Sequence, residues 1–135
     1  MNWIPWTKVY LLTLLIFLVV DFLWLGLIAK QFYQRYLGHL FSEQVNWPAA
    51  FLFYLLFVFG LMVFVLSPAL KAEALKQALL LGMLYGLITY ATYDLTNLAL
   101  LKGWPLKVVV VDISWGIVLS GIVSSAGYSI AKWLL

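Results

Sequence analysis

The sequence predicts an all-α membrane protein with four transmembrane helices packed in a bundle. Of its 135 residues, 66% are hydrophobic and 10% are charged, whereas soluble domains are about half apolar and about a quarter charged. Eight Lys and Arg and five Asp and Glu residues are too few to give a globule of this size a hydrated surface. The apolar residues also fall into four stretches long enough to cross a bilayer, which takes about 20 residues. We therefore expect one integral membrane domain over residues 1–135.

The composition excludes several other classes of protein. Intrinsic disorder requires low hydrophobicity, and a disulfide-stapled secreted domain requires cysteines, which the chain lacks. The lack of cysteine also excludes a thiol nucleophile and thiolate-ligated metal centres. The net charge of +3 is explained by lysines in the two headgroup layers, so it predicts no nucleic-acid partner.

The boundaries of the spans follow from the apolar runs and the residues that flank them. Pro48 and Pro105 stand where a helix tolerates proline, in its first turn, and Gly103 is typical of a helix stop. The predicted spans are, approximately, Val9–Ala29, Pro48–Leu66, Ala78–Leu101 and Leu106–Ala131. Five tryptophans lie near the ends of these spans, where indole rings anchor at the headgroup level. They are Trp3, Trp6, Trp47, Trp104 and Trp133.

The first loop, Lys30–Trp47, mixes aromatic and charged residues, which is typical of a short amphipathic helix lying in the membrane interface. A surface connector is the simpler interpretation of this segment, and a lid over a site is the alternative.

Four spans place both termini on one side of the membrane, here called side A, and the first and third loops on side B. The positive-inside rule gives no orientation because each side carries four Lys and Arg residues. Side A has Lys8, Lys71, Lys76 and Lys132, and side B has Lys30, Arg35, Lys102 and Lys107. This balance is also compatible with insertion in both orientations and an antiparallel homodimer.

Three of the five acidic residues lie inside predicted spans: Asp21 in the first, Asp94 in the third and Asp112 in the fourth. A carboxylate in hydrocarbon costs about 2–3 kcal/mol on insertion scales, so such residues face the bundle interior and often mark a functional site. At 1.5 Å per residue, all three lie about 10–12 Å below the side-B boundary. A shared depth on three helices predicts one cluster that opens toward side B.

The neighbours of these aspartates predict a pocket. Trp24, Asn97 and Trp115 each follow an aspartate by three residues, which places them on the same helix face. In the third span, Tyr90 and Tyr93 share an arc of about 100° with the aspartate. Interhelical hydrogen bonding is the alternative explanation, but at about 0.6 kcal/mol per bond it does not balance the insertion cost.

Three segments resemble a bacterial membrane family known as domain of unknown function 2177. They are Val19-Val20-Asp21-Phe22-Leu23-Trp24-Leu25-Gly26, Thr92-Tyr93-Asp94-Leu95-Thr96-Asn97 and Val111-Asp112-Ile113-Ser114-Trp115-Gly116. The resemblance covers essentially the whole chain. It implies four spans in the same places and a bacterial inner-membrane location, and it implies no particular activity.

The sequence lacks the residues that several kinds of chemistry require. Zinc hydrolysis requires imidazole or thiolate ligands, and the single histidine, His39, lies in the first loop. A Ser-His-Asp device lacks its base for the same reason. A retinal-type Schiff base requires a lysine deep in a span, whereas Lys107 lies only two residues past Pro105 and can snorkel to the headgroups. No cofactor and no resident metal are predicted from these residues.

Three functional hypotheses remain open. The first is binding or proton-coupled transport of a small cationic or amphipathic molecule, with the aspartates supplying charge and the aromatic residues supplying π-faces. Like charges at low dielectric cannot all ionise, so at least one aspartate should hold a proton. Four spans are few to enclose a path, so a homodimer would be expected.

The second hypothesis is a lipid-modifying enzyme that uses the same carboxylates for acid–base or divalent-metal chemistry. Asp21, Asp94, Asp112 and Asn97 are hard oxygen ligands that Mg²⁺, Mn²⁺ or Ca²⁺ accepts, and an opening toward one headgroup layer would suit a lipid substrate. The third is a non-catalytic scaffold or accessory subunit whose aspartates pair with a partner's cations. The sequence does not decide whether the protein is an enzyme.

Overall fold

The computed structural model describes residues 3–135 and contains the four long helices that the sequence predicts. Each is long and apolar enough to cross a membrane, so the protein is an all-α integral membrane protein. We name these helices α1 (Trp3–Ile28), α3 (Trp47–Ala72), α4 (Leu75–Leu100) and α5 (Leu106–Leu134). Each predicted span lies within one of them, except that Ala29 and Leu101 each fall one residue past a helix end.

The first loop forms the short amphipathic helix expected there. We name it α2 (Lys30–Leu37), and a single 3₁₀ turn at Gly38–Leu40 follows it. The apolar side chains Tyr33 and Leu37 of α2 are buried against Val108 at the start of α5. Because α2 packs on the end of the bundle, it covers the side-B ends of the spans instead of lying free.

Helices α4 and α5 form the tightest packing in the molecule, because glycines replace side chains along their contact. A Cβ atom added at Gly86 would collide with the backbone carbonyl of Gly116, and one added at Gly116 would collide with the ring of Tyr90. Close approach through small residues is the usual means of helix association in lipid, where no hydrophobic force drives helices together. This approach brings the Asp94 and Asp112 segments of the two helices together.

Helix α3 packs on two different neighbours along its length. Its first half, Trp47–Leu61, packs on α1, where the Tyr10 hydroxyl donates a 2.9 Å hydrogen bond to the Leu55 carbonyl oxygen. Its second half begins with a π-helical turn at Met62–Leu66 and packs on α4. The side-B end of the bundle is therefore less closed than the side-A end.

One of the five tryptophans predicted to anchor at the headgroup level is buried in the protein instead. Trp3, Trp47 and Trp133 are exposed, as residues at the headgroup level should be, whereas Trp104 is only 8% exposed. Its ring packs edge-on against Tyr93, with 5.9 Å between the centroids. The loop after α4 folds this indole back over the bundle, an arrangement that proximity to a span end does not reveal.

The glycine contact can be tested with the variant Gly86→Ala. Alanine is intrinsically favoured over glycine in a helix by about 1 kcal/mol, but here the new methyl group would overlap a backbone oxygen that cannot move cheaply. We expect a net loss of stability of about 1–3 kcal/mol, measured as a lower midpoint of thermal unfolding in detergent. The matched control is Gly38→Ala, whose Cβ would meet nothing within 4 Å. Equal midpoints for the two variants would contradict the close approach.

Candidate functional site

The three intramembrane aspartates come together between α1, α4 and α5. Asp94 is completely buried, Asp21 is 5% exposed, and Asp112 is half-buried. Asp112 lies between the other two, since its carboxylate is the acidic neighbour of both. The cluster that the sequence predicts therefore forms, but its carboxyl groups do not share one depth. Gly86 lies against Gly116, so Asp94, eight residues beyond Gly86, lies about 6 Å nearer side B than Asp112, four residues before Gly116.

Neutral hydrogen-bond donors hold two of the carboxylates. The Trp115 indole N–H donates to Asp21 Oδ1 at 3.1 Å, and the Tyr33 hydroxyl donates to Asp112 Oδ1 at 2.8 Å. The Trp24 indole N–H in turn donates to the Tyr33 hydroxyl oxygen at 3.2 Å. The rings of Trp24 and Trp115 stack with 4.4 Å between their centroids and 7° between their planes. These contacts connect α1, α2 and α5 through one polar network.

Tyr33 is a site residue that the sequence analysis missed. Burial raises the pKa of its hydroxyl above the ordinary value of 10.0, and the nearby charge of Asp112 raises it further. The group therefore stays protonated and can donate a hydrogen bond throughout the physiological pH range. The amphipathic pattern of the first loop indicated that α2 has a buried face, but nothing in the pattern indicated that the face reaches Asp112.

Asp94 differs from the other two aspartates because, among residues 3–135, neither of its carboxyl oxygens has a hydrogen-bond partner. Its polar neighbours are Asp112 and Trp104, and the Trp104 indole N–H is likewise buried without a partner. A carboxylate can only accept hydrogen bonds, so Asp94 and Asp112 can bond to each other only when one of them carries a proton.

Two cavities meet at this cluster. The inner cavity has a volume of about 380 Å³, and the outer cavity, which reaches α2, has a volume of about 490 Å³. The inner cavity is lined by Asp21, Leu25, Phe53, Tyr54, Thr89, Tyr90, Tyr93, Asp112 and Trp115. The outer cavity is lined by Leu25, Gly26, Lys30, Tyr33, Gln34, Leu37, Phe41, Tyr93, Asp94, Trp104, Val108 and Asp112. Leu25, Tyr93 and Asp112 border both cavities.

Most of the residues predicted for the site border these cavities. Tyr90, Tyr93 and Trp115 line the inner cavity together with two of the aspartates. Trp24 supports it from behind by stacking on Trp115. Asn97 lines neither cavity and is instead a polar neighbour of Tyr93.

Helix α3 contributes two lining residues that the sequence analysis did not predict, Phe53 and Tyr54. The ring of Tyr54 packs edge-on against Phe17, with 5.6 Å between the centroids. No signal in the sequence distinguishes these two residues, because α3 is apolar on all faces over this stretch and carries no charge.

The three carboxylates do not converge as a three-residue metal-ligand group. Over residues 3–135, no group of three His, Cys, Asp or Glu side chains lies close enough to hold one. Asp21, Asp94 and Asp112 therefore form a chain of neighbours in which Asp112 is central, and they do not surround a common point.

The fold and the site define a class of protein: a four-span membrane protein with a carboxylate cluster and two adjoining cavities in its side-B half. The chain belongs to the family described as "Predicted membrane protein (DUF2177)", whose sequence profile matches residues 6–129. This confirms the family resemblance of the three aspartate-containing segments. No curated protein and no solved structure matches the chain.

The variant Tyr33→Phe tests the network that links α2 to the bundle. Removing the hydroxyl removes the hydrogen bond that α2 donates to Asp112, and loss of a hydrogen bond to a charged group costs about 1.5–3 kcal/mol. We expect a corresponding decrease in the midpoint of thermal unfolding. The matched control is Tyr36→Phe on the same helix, because its hydroxyl only accepts a long, exposed contact of 3.4 Å from Lys107. If both variants unfold at the wild-type temperature, the Tyr33–Asp112 bond does not contribute to stability.

Proposed function

We propose that the protein binds a small organic cation in the inner cavity and exchanges it for a proton. One observation carries this proposal: the inner cavity is bordered by two carboxylates, Asp21 and Asp112, and by aromatic rings. The finer assignments, including transport, a homodimer and a bacterial inner-membrane location, belong to the same proposal.

The charge of the pocket favours a cation as its ligand. Trp115 and Tyr33 satisfy the two carboxylates only in part and do not neutralise them. A negative charge in a low-dielectric layer is costly when no opposite charge is nearby. A bound cation would supply that opposite charge.

The aromatic residues favour an organic cation over an inorganic one. Tyr54, Tyr90 and Trp115 come from three different helices and border the same cavity. Faces of Tyr and Trp rings attract ammonium groups, by about 2 kcal/mol or more when the groups are desolvated. Methylated ammonium groups suit such rings because they have little hydration to lose.

Asp94 is suited to hold the exchanged proton. An ionised carboxylate with no hydrogen-bond partner and no exposure would be strongly disfavoured in hydrocarbon, so we infer that Asp94 is protonated and donates to Asp112 in the cation-free state. The other titratable groups that border the outer cavity with Asp94 are Lys30 and Tyr33 of α2 and Tyr93 of its own helix. Arrival of a cation at Asp112 would weaken the hold on this proton, which would leave through the outer cavity.

The arrangement of the two cavities supports exchange of a cation for a proton over simple binding. Asp112 borders the inner cavity, where the cation would bind, and also the outer cavity, which extends to α2 on side B. A residue placed in this way can contact ligand and proton in turn. Two copies of the chain would provide a more complete enclosure than four helices do.

The first test measures binding of tetramethylammonium to purified protein in nanodiscs by calorimetry. Asp21→Asn and Asp112→Asn each remove one charge that faces the cavity, and we expect at least tenfold weaker binding, equivalent to about 1.4 kcal/mol. The control is Glu43→Gln, which removes an exposed carboxylate in the first loop. Thermal unfolding confirms that each variant is folded. Wild-type affinity in both folded aspartate variants would rule out the proposed site.

The second test concerns the proton. Wild-type binding should release a proton, so affinity should increase as the pH rises, and the heat of binding should depend on the ionisation enthalpy of the buffer. Asp94→Asn can still donate to Asp112 through its amide but has no proton to release. We expect this variant to bind tetramethylammonium with an affinity independent of pH and a heat independent of the buffer. Proton release that persists in Asp94→Asn would exclude this residue as the carrier.

A further inference from the structure

We infer that the cation is amphipathic, an ammonium group on an alkyl chain with no phosphate, and that it reaches the inner cavity from the bilayer between α3 and α4. This inference rests on the proposed function and adds to it the class of ligand and the route. Three features support it: α3 separates from α4 in the side-B half, side chains that line the inner cavity are exposed there, and two carboxylates border that cavity.

The gap between α3 and α4 is confined to the side-B half of the bundle. The second half of α3 packs on α4, whereas the first half, Trp47–Leu61, packs on α1. Both helices are still in contact at Phe57. The Tyr85 hydroxyl donates a 2.8 Å hydrogen bond to the Phe57 carbonyl oxygen, and the Phe57 ring packs edge-on against Tyr90, with 6.2 Å between the centroids. Because Gly60 lies against the same Tyr85 ring, this crossing closes the gap on its side-A end.

The side chains on the two edges of this gap also line the inner cavity. Phe53 of α3 is 47% exposed and Tyr93 of α4 is 57% exposed, and both border the inner cavity. At 1.5 Å per residue they lie about 9–11 Å from the side-B ends of their helices, inside a hydrocarbon layer about 30 Å thick. Surface exposed at this depth faces lipid tails, so the gap opens the carboxylate cavity to the bilayer interior.

A ligand that uses this opening must satisfy two environments at once. Its charged end would lie beside Asp21 and Asp112, while the part that passes between Phe53 and Tyr93 would meet aromatic rings and acyl chains. An alkylammonium ion has this division, and its chain can remain in the bilayer without any cost of desolvation. A phospholipid headgroup is disfavoured because its phosphate would approach two carboxylates, and like charges at low dielectric repel strongly.

The experiment compares tetramethylammonium with octyltrimethylammonium in phosphatidylcholine nanodiscs. The chain has no native cysteine, so a single cysteine can carry a bulky maleimide at the edge of the gap. Phe53→Cys is labelled in detergent before reconstitution. Phe64→Cys, the same change at a lipid-exposed phenylalanine in the second half of α3, is the labelled control.

We expect octyltrimethylammonium to bind wild-type protein at least tenfold more tightly than tetramethylammonium. Labelled Phe53→Cys should slow its association at least tenfold, while labelled Phe64→Cys should match the wild type. Tetramethylammonium, which can arrive through the outer cavity, should be affected much less. Association of octyltrimethylammonium at the wild-type rate in labelled Phe53→Cys would overturn the bilayer route.

Two further outcomes separate this inference from the proposed function. If both cations bind with equal affinity and Asp112→Asn weakens both, the cation site stands and the requirement for an alkyl chain is wrong. If neither cation binds, the proposed function itself fails. Adding phosphatidylethanolamine to the nanodiscs should leave octyltrimethylammonium binding unchanged, and competition by that lipid would assign the cavity to a phospholipid headgroup and overturn the inference.

Discussion

The structure depends on one constraint: a carboxylate at hydrocarbon depth must find partners inside the protein. Asp112 meets this constraint through the hydrogen bond that the Tyr33 hydroxyl donates to it. Because Tyr33 belongs to the first loop, this single bond fixes a surface segment to the centre of the bundle. Trp24 and Trp115 then complete the network by donating to Tyr33 and Asp21 and by stacking on each other.

The position of Asp94 follows from the packing of small residues elsewhere on the same helices. Gly86 lies against Gly116, eight residues before Asp94 on α4 and four residues after Asp112 on α5. Both spacings keep the glycine and the aspartate near one helix face. The close backbone approach therefore leaves Asp94 fully buried and close to Asp112.

The open half of the bundle is as important to the proposed function as the closed half. A fully packed bundle would bury the three carboxylates without space for a ligand. On side B, α3 packs on α1, and it packs on α4 only from Phe57 toward side A. A cavity therefore remains beside Asp21 and Asp112. Helix α2 covers the neighbouring outer cavity, whereas the inner cavity borders lipid tails.

The sequence by itself determined the four spans, the amphipathic first-loop helix, the family and the presence of Asp21, Asp94 and Asp112 inside the spans. These properties depend on apolar content, on helix periodicity and on the rise per residue, which are local. Only the tertiary structure decided that Tyr33 binds Asp112, that Trp104 is buried beside Asp94 and that Phe53 and Tyr54 border the cavity. Those outcomes depend on the direction in which loops and helices approach each other, and an apolar helix such as α3 looks the same on every face until its neighbours are in place.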